Sequence, residues 1–553
     1  MNPAMFVLGL ALAAVGSGER APASVRPPIL EVIPAEARAV VVVRDWPAAR
    51  EKLASLHVAA FAAVNPPFSA VLRGLAIVDG LDEHGAIAAV LMPAGDEDEM
   101  AAADGLLLVL PTVDVAHLMT LWEPEPLEDG AYRIRLMGRE SFLAGVNGYA
   151  IIGPSLEVVR AAAHPPRSLA LRLPSNLKDL LGRYDVGVWI DAQAGTLDGL
   201  LAAPEESAAW WVRAGAWLFG EHRQIMAGVR FLPDSISVET YLEPTDPIHA
   251  ALTDTNAPLL IGLPEGDHAW AFSMVNDDRG SSMAMLHGAL IAALVQGGWL
   301  DSSRASELAS QLASIGRRTQ RVLWFAGAPD PPAFEAAGVW RARGTAGMLL
   351  GEIRSLVRFM QSGSAADERI NRLLASLVYR RAVETIDGVV VDQVAVDFTD
   401  GEPTEFGSVK RLLGPEGLLV RVGVVDDRHV VVSLGGGARR FQAIVAAVRR
   451  GADPVRARAA MDAVAIHLPA GRTLAAYLFP ARMVTLLEAW GCAWRTQDAV
   501  YEFAASPVPV GATLSTEGAG LLWRVVVPAD VLQSLKRREP GQPGAADGKN
   551  SRS

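Results

Sequence analysis

The stretch VVVSLGGGARRFQAIVAAV, Val430 to Val448, has the residue types of a phosphate cradle. A β-branched run enters Gly435–Gly437 and an Ala- and Val-rich run at helical spacing leaves it, an order that can turn backbone N–H groups toward a pyrophosphate. A nucleotide loop also needs a Lys followed by Ser or Thr, or spaced glycines with an acidic residue about 20 positions on. Neither is present, so the stretch reads as a break between strand and helix, with Arg439 and Arg440 as a lesser, anion-binding reading. The same strand carries Asp427, His429 and Ser433, whose spacing puts all three on one face. At about 3.3 Å per residue, His429 and Ser433 stand roughly 13 Å apart, too far for a base to take a nucleophile's proton.

Other chemistry is sparser. There is no GxSxG elbow, no Ser-x-x-Lys in a credible context and no HExxH pair. The histidines stand singly; His222, His249 and His268 come nearest to a group and would meet only through folding. Asp96–Glu99, Asp277–Asp278 and Asp426–Asp427 have the composition of Ca²⁺ or glycosidase sites, but without EF-hand spacing they are expected as solvated loop faces. AAWWVRAGAWLFG puts Trp210, Ala214 and Trp217 on one helical face, expected to face a core. Cys492 is the one cysteine, so no intramolecular disulfide forms; in AWGCAW it reads as a small buried hydrophobe. The sequence therefore leaves catalytic residues unknown and implies no cofactor and no structural metal.

Among the elements that would have to position any site, hairpins dominate. SFLAGVNGYAIIGPSLEVVRAAA and LLVRVGVVDDRHVVVSLGGGARRFQAIVAAV share one order: strand, two-residue polar turn (Asn147-Gly148, Asp426-Asp427), strand, Gly or Pro break, helix. Their flanks match as well. ILEVIPAEARAVVVVRD and LLIGLPEGDHAWAFSMVND open the two regions, and the hairpins GVRFLPDSISVETYLEP and GATLSTEGAGLLWRVVVP close them. The expected fold class is α+β, in two similar halves at residues 24–250 and 256–535, each mainly an antiparallel sheet of hairpins with helices packed on one face. Between the halves, EPTDPIHAALTDTNAP reads as a linker, and residues 536–553, poor in apolar side chains, are expected to be disordered.

A chain of 553 residues, half of them hydrophobic, can fill more than one core. A formal charge of -12 and the lack of a basic stripe exclude a nucleic-acid partner. Met5 to Val15 is an uncharged run of signal-peptide length, and Ala21-Pro22-Ala23 before Ser24 fits a cleavage site, so residues 1–23 are expected to be a signal peptide although Met1–Ala4 carries no Lys or Arg. Export to the periplasm or cell envelope, or beyond it, follows, with membrane contact only through this segment if it stays uncleaved. Ser281 to Leu300 is a second uncharged run, read as a buried helix because His287, Gln296 and Gly297-Gly298 interrupt it. An export signal followed by two similar α+β halves is similar to large uncharacterised exported bacterial proteins with domains of unknown function, a resemblance of organisation that implies no site residue. The expected role is non-catalytic, in binding, scaffolding or envelope structure, with a protein or envelope partner. An exported hydrolase whose site assembles only in the fold, and a carrier of an apolar ligand, stand as alternatives.

Overall fold

The computed structural model describes residues 28–56, 79–194, 222–245, 252–362, 368–396, 413, 416–451, 455–489, 495–503 and 508–538, less 83, 94–104, 121, 137, 253, 257–258, 267, 297–299, 328–333 and 497–498. The signal-peptide segment, Asp96–Glu99, Trp210–Trp217, His249 and Cys492 lie outside the described residues. Contacts divide the chain into two compact units, the first drawn from residues up to Thr245 together with Gly518–Leu522, the second from the remainder.

In the first unit, the β-branched run of β1 (Ala39–Val43) buries Val40, Val42 and Val43. Asp45 ends it and caps α1 (Trp46–Ser55), accepting from the Ala48 N–H at 3.0 Å. Then come β2 (Ile87–Leu91), β3 (Leu106–Pro111) and the single turn α2 (Val115–Leu118). A meander follows of β4 (Glu125–Pro126), β5 (Ala131–Leu136), β6 (Arg139–Val146) and β7 (Tyr149–Gly153). Asn147 and Gly148, at φ 48° and 80°, make the expected tight turn between β6 and β7. Helices α3 (Leu156–Ala163) and α4 (Ser175–Arg183) lead to β8 (Val186–Asp191), β9 (His222–Phe231) and β10 (Ser235–Pro244). All pairings are antiparallel, in the order β4-β5-β6-β7-β3-β2-β1-β8-β9-β10.

In the second unit, β11 (Trp270–Val275) is followed by α5 (Ser281–Gln296), α6 (Ser302–Arg318), β12 (Thr319–Gly327), β13 (Glu335–Ala342) and α7 (Ala346–Gln361). The meander is β14 (Leu377–Ile386), β15 (Val389–Val396), β16 (Leu419–Val424) and β17 (His429–Leu434). Then come α8 (Gly437–Arg450), α9 (Val455–Ala465) and β18 (Leu474–Leu478). The short strands β19 (Arg495–Thr496) and β20 (Ala499–Phe503), the long strands β21 (Val510–Glu517) and β22 (Gly520–Pro528), and finally β23 (Leu535–Arg538) complete the described chain. The sheet runs β14-β15-β16-β17-β13-β12-β11-β18-β21, again wholly antiparallel.

The α+β class holds, with mixed helices and antiparallel sheet, but helices cover both faces rather than the one expected. In the first unit α3 and α4 bury Val159, Leu177 and Leu180 against Val40, Leu107 and Ile151, while Leu118 of α2 packs with Leu110, Leu143 and Ile152 on the opposite face. In the second, Phe441, Ile444 and Val464 of α8 and α9 meet Leu323, Val339 and Val431, and on the reverse side Ile315 of α6 and Leu349 and Ile353 of α7 meet Val422 and Val430. Neighbours Val430 and Val431 thus belong to different cores, which explains why Val430–Val432 in β17 are consecutive apolar residues and do not alternate.

Three local expectations change. The second hairpin turn is wider than Asp426-Asp427: Val424 pairs with Val430 and the Val425 N–H donates to the His429 carbonyl, because Asp426 folds back to accept from the Arg428 and His429 N–H groups. The supposed linker is bound into the second unit from Leu252 on. Asp254 accepts from the Thr473 and Thr516 hydroxyls at 3.0 Å each, and Thr255 bridges Arg472. Finally, Lys536–Arg538 belong to β23 and pair with β20, since a ladder needs only main-chain groups.

Candidate functional site

The glycine loop resolves as a joint. Gly435, Gly436 and Gly437 take φ of 72°, 66° and 62°, three consecutive left-handed residues, with Gly436 capping α8 without a side-chain bond. The surroundings are acidic: a Cβ on Gly436 would lie 2.4 Å from a Glu335 carboxylate oxygen, and one on Gly437 3.7 Å from Glu416. The chain's own carboxylates therefore occupy the space at the positive end of α8, and a phosphate would meet repulsion there. Of the two arginines at this joint, Arg440 is 3.1 Å from Glu335 and stacks over Phe325, and Arg439 is exposed. Burial lowers the Arg440 pKa, against the opposing charge of Glu335.

Asp427, His429 and Ser433 do not come together. His429 turns back on its own loop, its Nδ1 2.9 Å from the Asp426 carboxylate. Asp427 serves through its carbonyl, which accepts from the Ala346 N–H at the start of α7, and Ser433 is buried in the sheet. His222 opens β9 and His268 places Nε2 2.9 Å from the Pro264 carbonyl with its ring edge-on to Phe325. Among the described residues no three His, Cys, Asp or Glu side chains gather as metal ligands.

Two ionic clusters do form, on opposite faces of the outer strands of the second sheet, and apart from Glu416–Arg421 their members lie far apart in sequence. On the face under α7, Asp392 accepts from Arg354 Nη2 at 2.6 Å, from the Ala382 N–H at 2.9 Å and from the Tyr379 hydroxyl. A register shift between Arg380 and Glu384 brings Ala382, at φ 50°, into reach. Burial pulls the Asp392 pKa upward, but the bonds from Tyr379, Ala382 and Arg354 outweigh it and hold the carboxyl below the usual range. Burial, reinforced by Asp392, pushes the Tyr379 phenol up to about 12. On the other face, buried Arg421 binds Glu416 through both terminal nitrogens at 2.7 and 2.8 Å and Glu384 through Nε at 2.8 Å. These groups pair with one another, so their geometry fixes the strands.

A cleft of about 430 Å³ lies at the end of β11, lined by Val275, Asn276, Asp277, Asp278, Arg279, Gln320 and Arg343. Buried Asn276 donates to the Gly316 and Thr319 carbonyls at 2.7 and 3.1 Å and accepts from the Met283 N–H. Asp277 accepts from the Ser281 N–H at 2.6 Å and hydroxyl at 2.8 Å, starting α5. Arg343, just past β13, donates to the Asn276 carbonyl at 2.8 Å and pairs with the Asp278 carboxylate. The acidic pair Asp277–Asp278 is thus half capping group, half ion-pair partner. Within these lining residues, Gln320 Oε1 and Arg343 Nε are closed to solvent and make no hydrogen bond.

The uncharged run from Ser281 forms α5 (Ser281–Gln296), with residues 297–299 outside the described residues, and no helix among the described residues is long and apolar enough to cross a membrane. It packs on α6, which packs on α7, yet α5 is not the fully buried helix expected: Leu286 and Leu290, one turn apart, are 37% and 50% exposed. On its inner side His287 bonds the Leu312 backbone, and burial lowers its pKa to about 4.

No protein-family model and no curated protein matches the chain. Solved structures of TP0453 bear a weak likeness. Crystal form I is 13% identical over 40% of this chain and 80% of that one at a TM-score of 0.23. Form IV is 12% identical over 39% and 81% at 0.25, and form III 9% over 51% and 98% at 0.23.

Proposed function

We propose that this chain is an exported, non-catalytic protein whose role is binding, in scaffolding or envelope structure, and that its two units descend from one duplicated α+β unit. The observation that carries the non-catalytic reading is the mutual pairing of the convergent charged groups: Asp392 with Arg354 and Tyr379, Arg421 with Glu416 and Glu384, and Asp277 with the start of α5. Groups held this way position backbone, which favours the non-catalytic reading. The exposed Leu286 and Leu290 on an uncharged helix favour a protein or envelope surface as partner.

Duplication is supported by the matched pairings. Each unit runs a three-strand meander, pairs its third strand with the last strand of a second meander, enters a helix from that strand, and returns beside its first strand. Export is supported by Met5 to Val15 and by Ala21-Pro22-Ala23. Expression in a bacterium with a periplasm, followed by fractionation and amino-terminal sequencing, tests it; a mature chain beginning at Ser24 is expected, and an intact chain in the cytoplasm overturns it. The non-catalytic reading is tested with ester, glycoside and peptide substrate panels on the wild type, Asp277→Asn and Asp392→Asn. Turnover in the wild type that disappears in either variant would establish the hydrolase instead.

A further inference from the structure

We infer that α5 is an acid-released flap: protonation of His287 frees the helix beyond its first turn from α6 while the sheet beneath stays folded. This goes beyond the binding role above and does not depend on it. The His287 ring is bonded to the Leu312 backbone across the α5–α6 contact, and its Nδ1 is closed to solvent without a hydrogen bond. A proton on Nδ1 therefore creates a buried, charged donor with no acceptor, a costly arrangement. No counter-charge stands ready to receive it. On α5 itself His287 is the one ionisable residue. On α6, Asp301 caps the first turn, Glu307 pairs with Arg304, and Arg317 and Arg318 are cations in the last turn. On α7, which packs on α6, Glu352 lies 3.8 Å from Arg318, Arg354 binds Asp392 and Arg358 bonds Ser355. The sheet residues of the same core, Trp340, Val422 and Val430, do not titrate. Before the helix, Asp277 accepts from Ser281 and Asp278 pairs with Arg343.

The helix is also lightly held. Of its described side chains Ser282 and Met283 are buried, both in the first turn, whereas Ala284, Leu286 and Leu290 are exposed. By contrast α7, of the same length, buries Ala346, Leu349, Leu350, Ile353 and Val357. An element with few buried apolar contacts opens locally, below the free energy of global unfolding. Release starts after the first turn because that turn is tied down, with Asn276 Oδ1 accepting from the Met283 N–H at 3.2 Å and Asp277 from the Ser281 N–H. What acid uncovers is apolar: Ile291 of α5 and Leu308 and Leu312 of α6.

Hydrogen exchange of the full chain, read by mass spectrometry between about pH 7 and 4 and corrected for intrinsic rates, tests this. A ring that takes its proton at about 6.5 when open and about 4 when docked raises the open fraction roughly hundred-fold over that range, nearly ten-fold per pH unit through its middle. The α5 amides from Leu286 to Gln296 should lose protection by that factor, while those of α7 and β12 keep theirs. In His287→Gln, the protection of α5 should stay within about three-fold across the range, since the titrating group is gone. Should that variant fail to fold, the onset in the wild type decides by itself, because carboxylates take up protons about two units lower than histidine. Constant protection of α5 would overturn the proposal and mean that the protonated ring merely turns outward. It fails equally if the loss begins only below about pH 5, if α7 and β12 lose protection together with α5, or if His287→Gln shows the same loss.

Discussion

Asp392 is where burial and pairing pull in opposite directions, and pairing wins. A carboxyl with a depressed folded pKa contributes stability that is present above its unfolded value, about 3.9, and is lost as pH falls through the folded one. Asp392→Asn should therefore cost about 2–3 kcal/mol near neutral pH, and in urea titrations its deficit should shrink as the pH drops below about 4. A constant deficit across that range would mean that shape, not charge, is what the residue supplies. The glycines give a sharper comparison. Ala at Gly437 meets only ordinary contacts and pays for a left-handed φ, about 1 kcal/mol. Ala at Gly435 would also put its Cβ 2.2 Å from the Phe334 carbonyl oxygen, so it should destabilise by about 3 kcal/mol or more, and equal melting points for the two variants would refute this account. The glycines announced themselves in the sequence as a joint. The Arg354–Asp392 pair did not, because 38 residues separate its members and only the packing of α7 on the sheet brings them together.

At the scale of elements, α5 carries the clearest pH dependence. His287 is neutral in the fold with a pKa near 4, while the unfolded chain takes up a proton below about 6.5. The unfolded state binds more protons between those values, so stability is full above about 6.5 and is lost on acidification toward 4. His287→Gln, which keeps a donor for the Leu312 carbonyl but does not titrate, should flatten the denaturation midpoint between pH 6.5 and 4 relative to wild type. If both proteins show the same slope, another group is responsible. Strand-turn-strand patterns such as VNGY were legible because φ > 0 at both turn residues demands Asn-Gly. The second layer of helices was the harder feature: hairpins suggested one covered face, yet the unbroken apolar run of β7 and the consecutive Val430–Val432 of β17 already pointed to two. Asp426 misled for a related reason, since an acidic residue in a turn can take its own backbone N–H groups as partners and widen it.

For the whole molecule, each unit closes a core of its own, with Leu180 fully buried in the first and Phe441 in the second. Leu180→Ala and Phe441→Ala should each cost about 2–5 kcal/mol, and calorimetry should show two transitions, each variant lowering only one of them. A single transition lowered by both would mean that the units melt as one. The order of elements repeated along the chain was readable because matched segments recur at long range, whereas the membership of Gly518–Leu522 in the first unit was not, as nothing local marks it. The two strand-to-helix joints show how such a repeat can diverge. At the first, Ser155 caps α3 with its hydroxyl, 3.5 Å from the Val158 N–H, a task that Thr, Asp or Asn also performs. At the second, the turn is written in backbone conformation alone, and no side chain substitutes for that. Over evolutionary time the first joint is free to drift among several residues while the second is frozen, so a saturation library should recover many alleles at position 155 and almost none at 435 and 436.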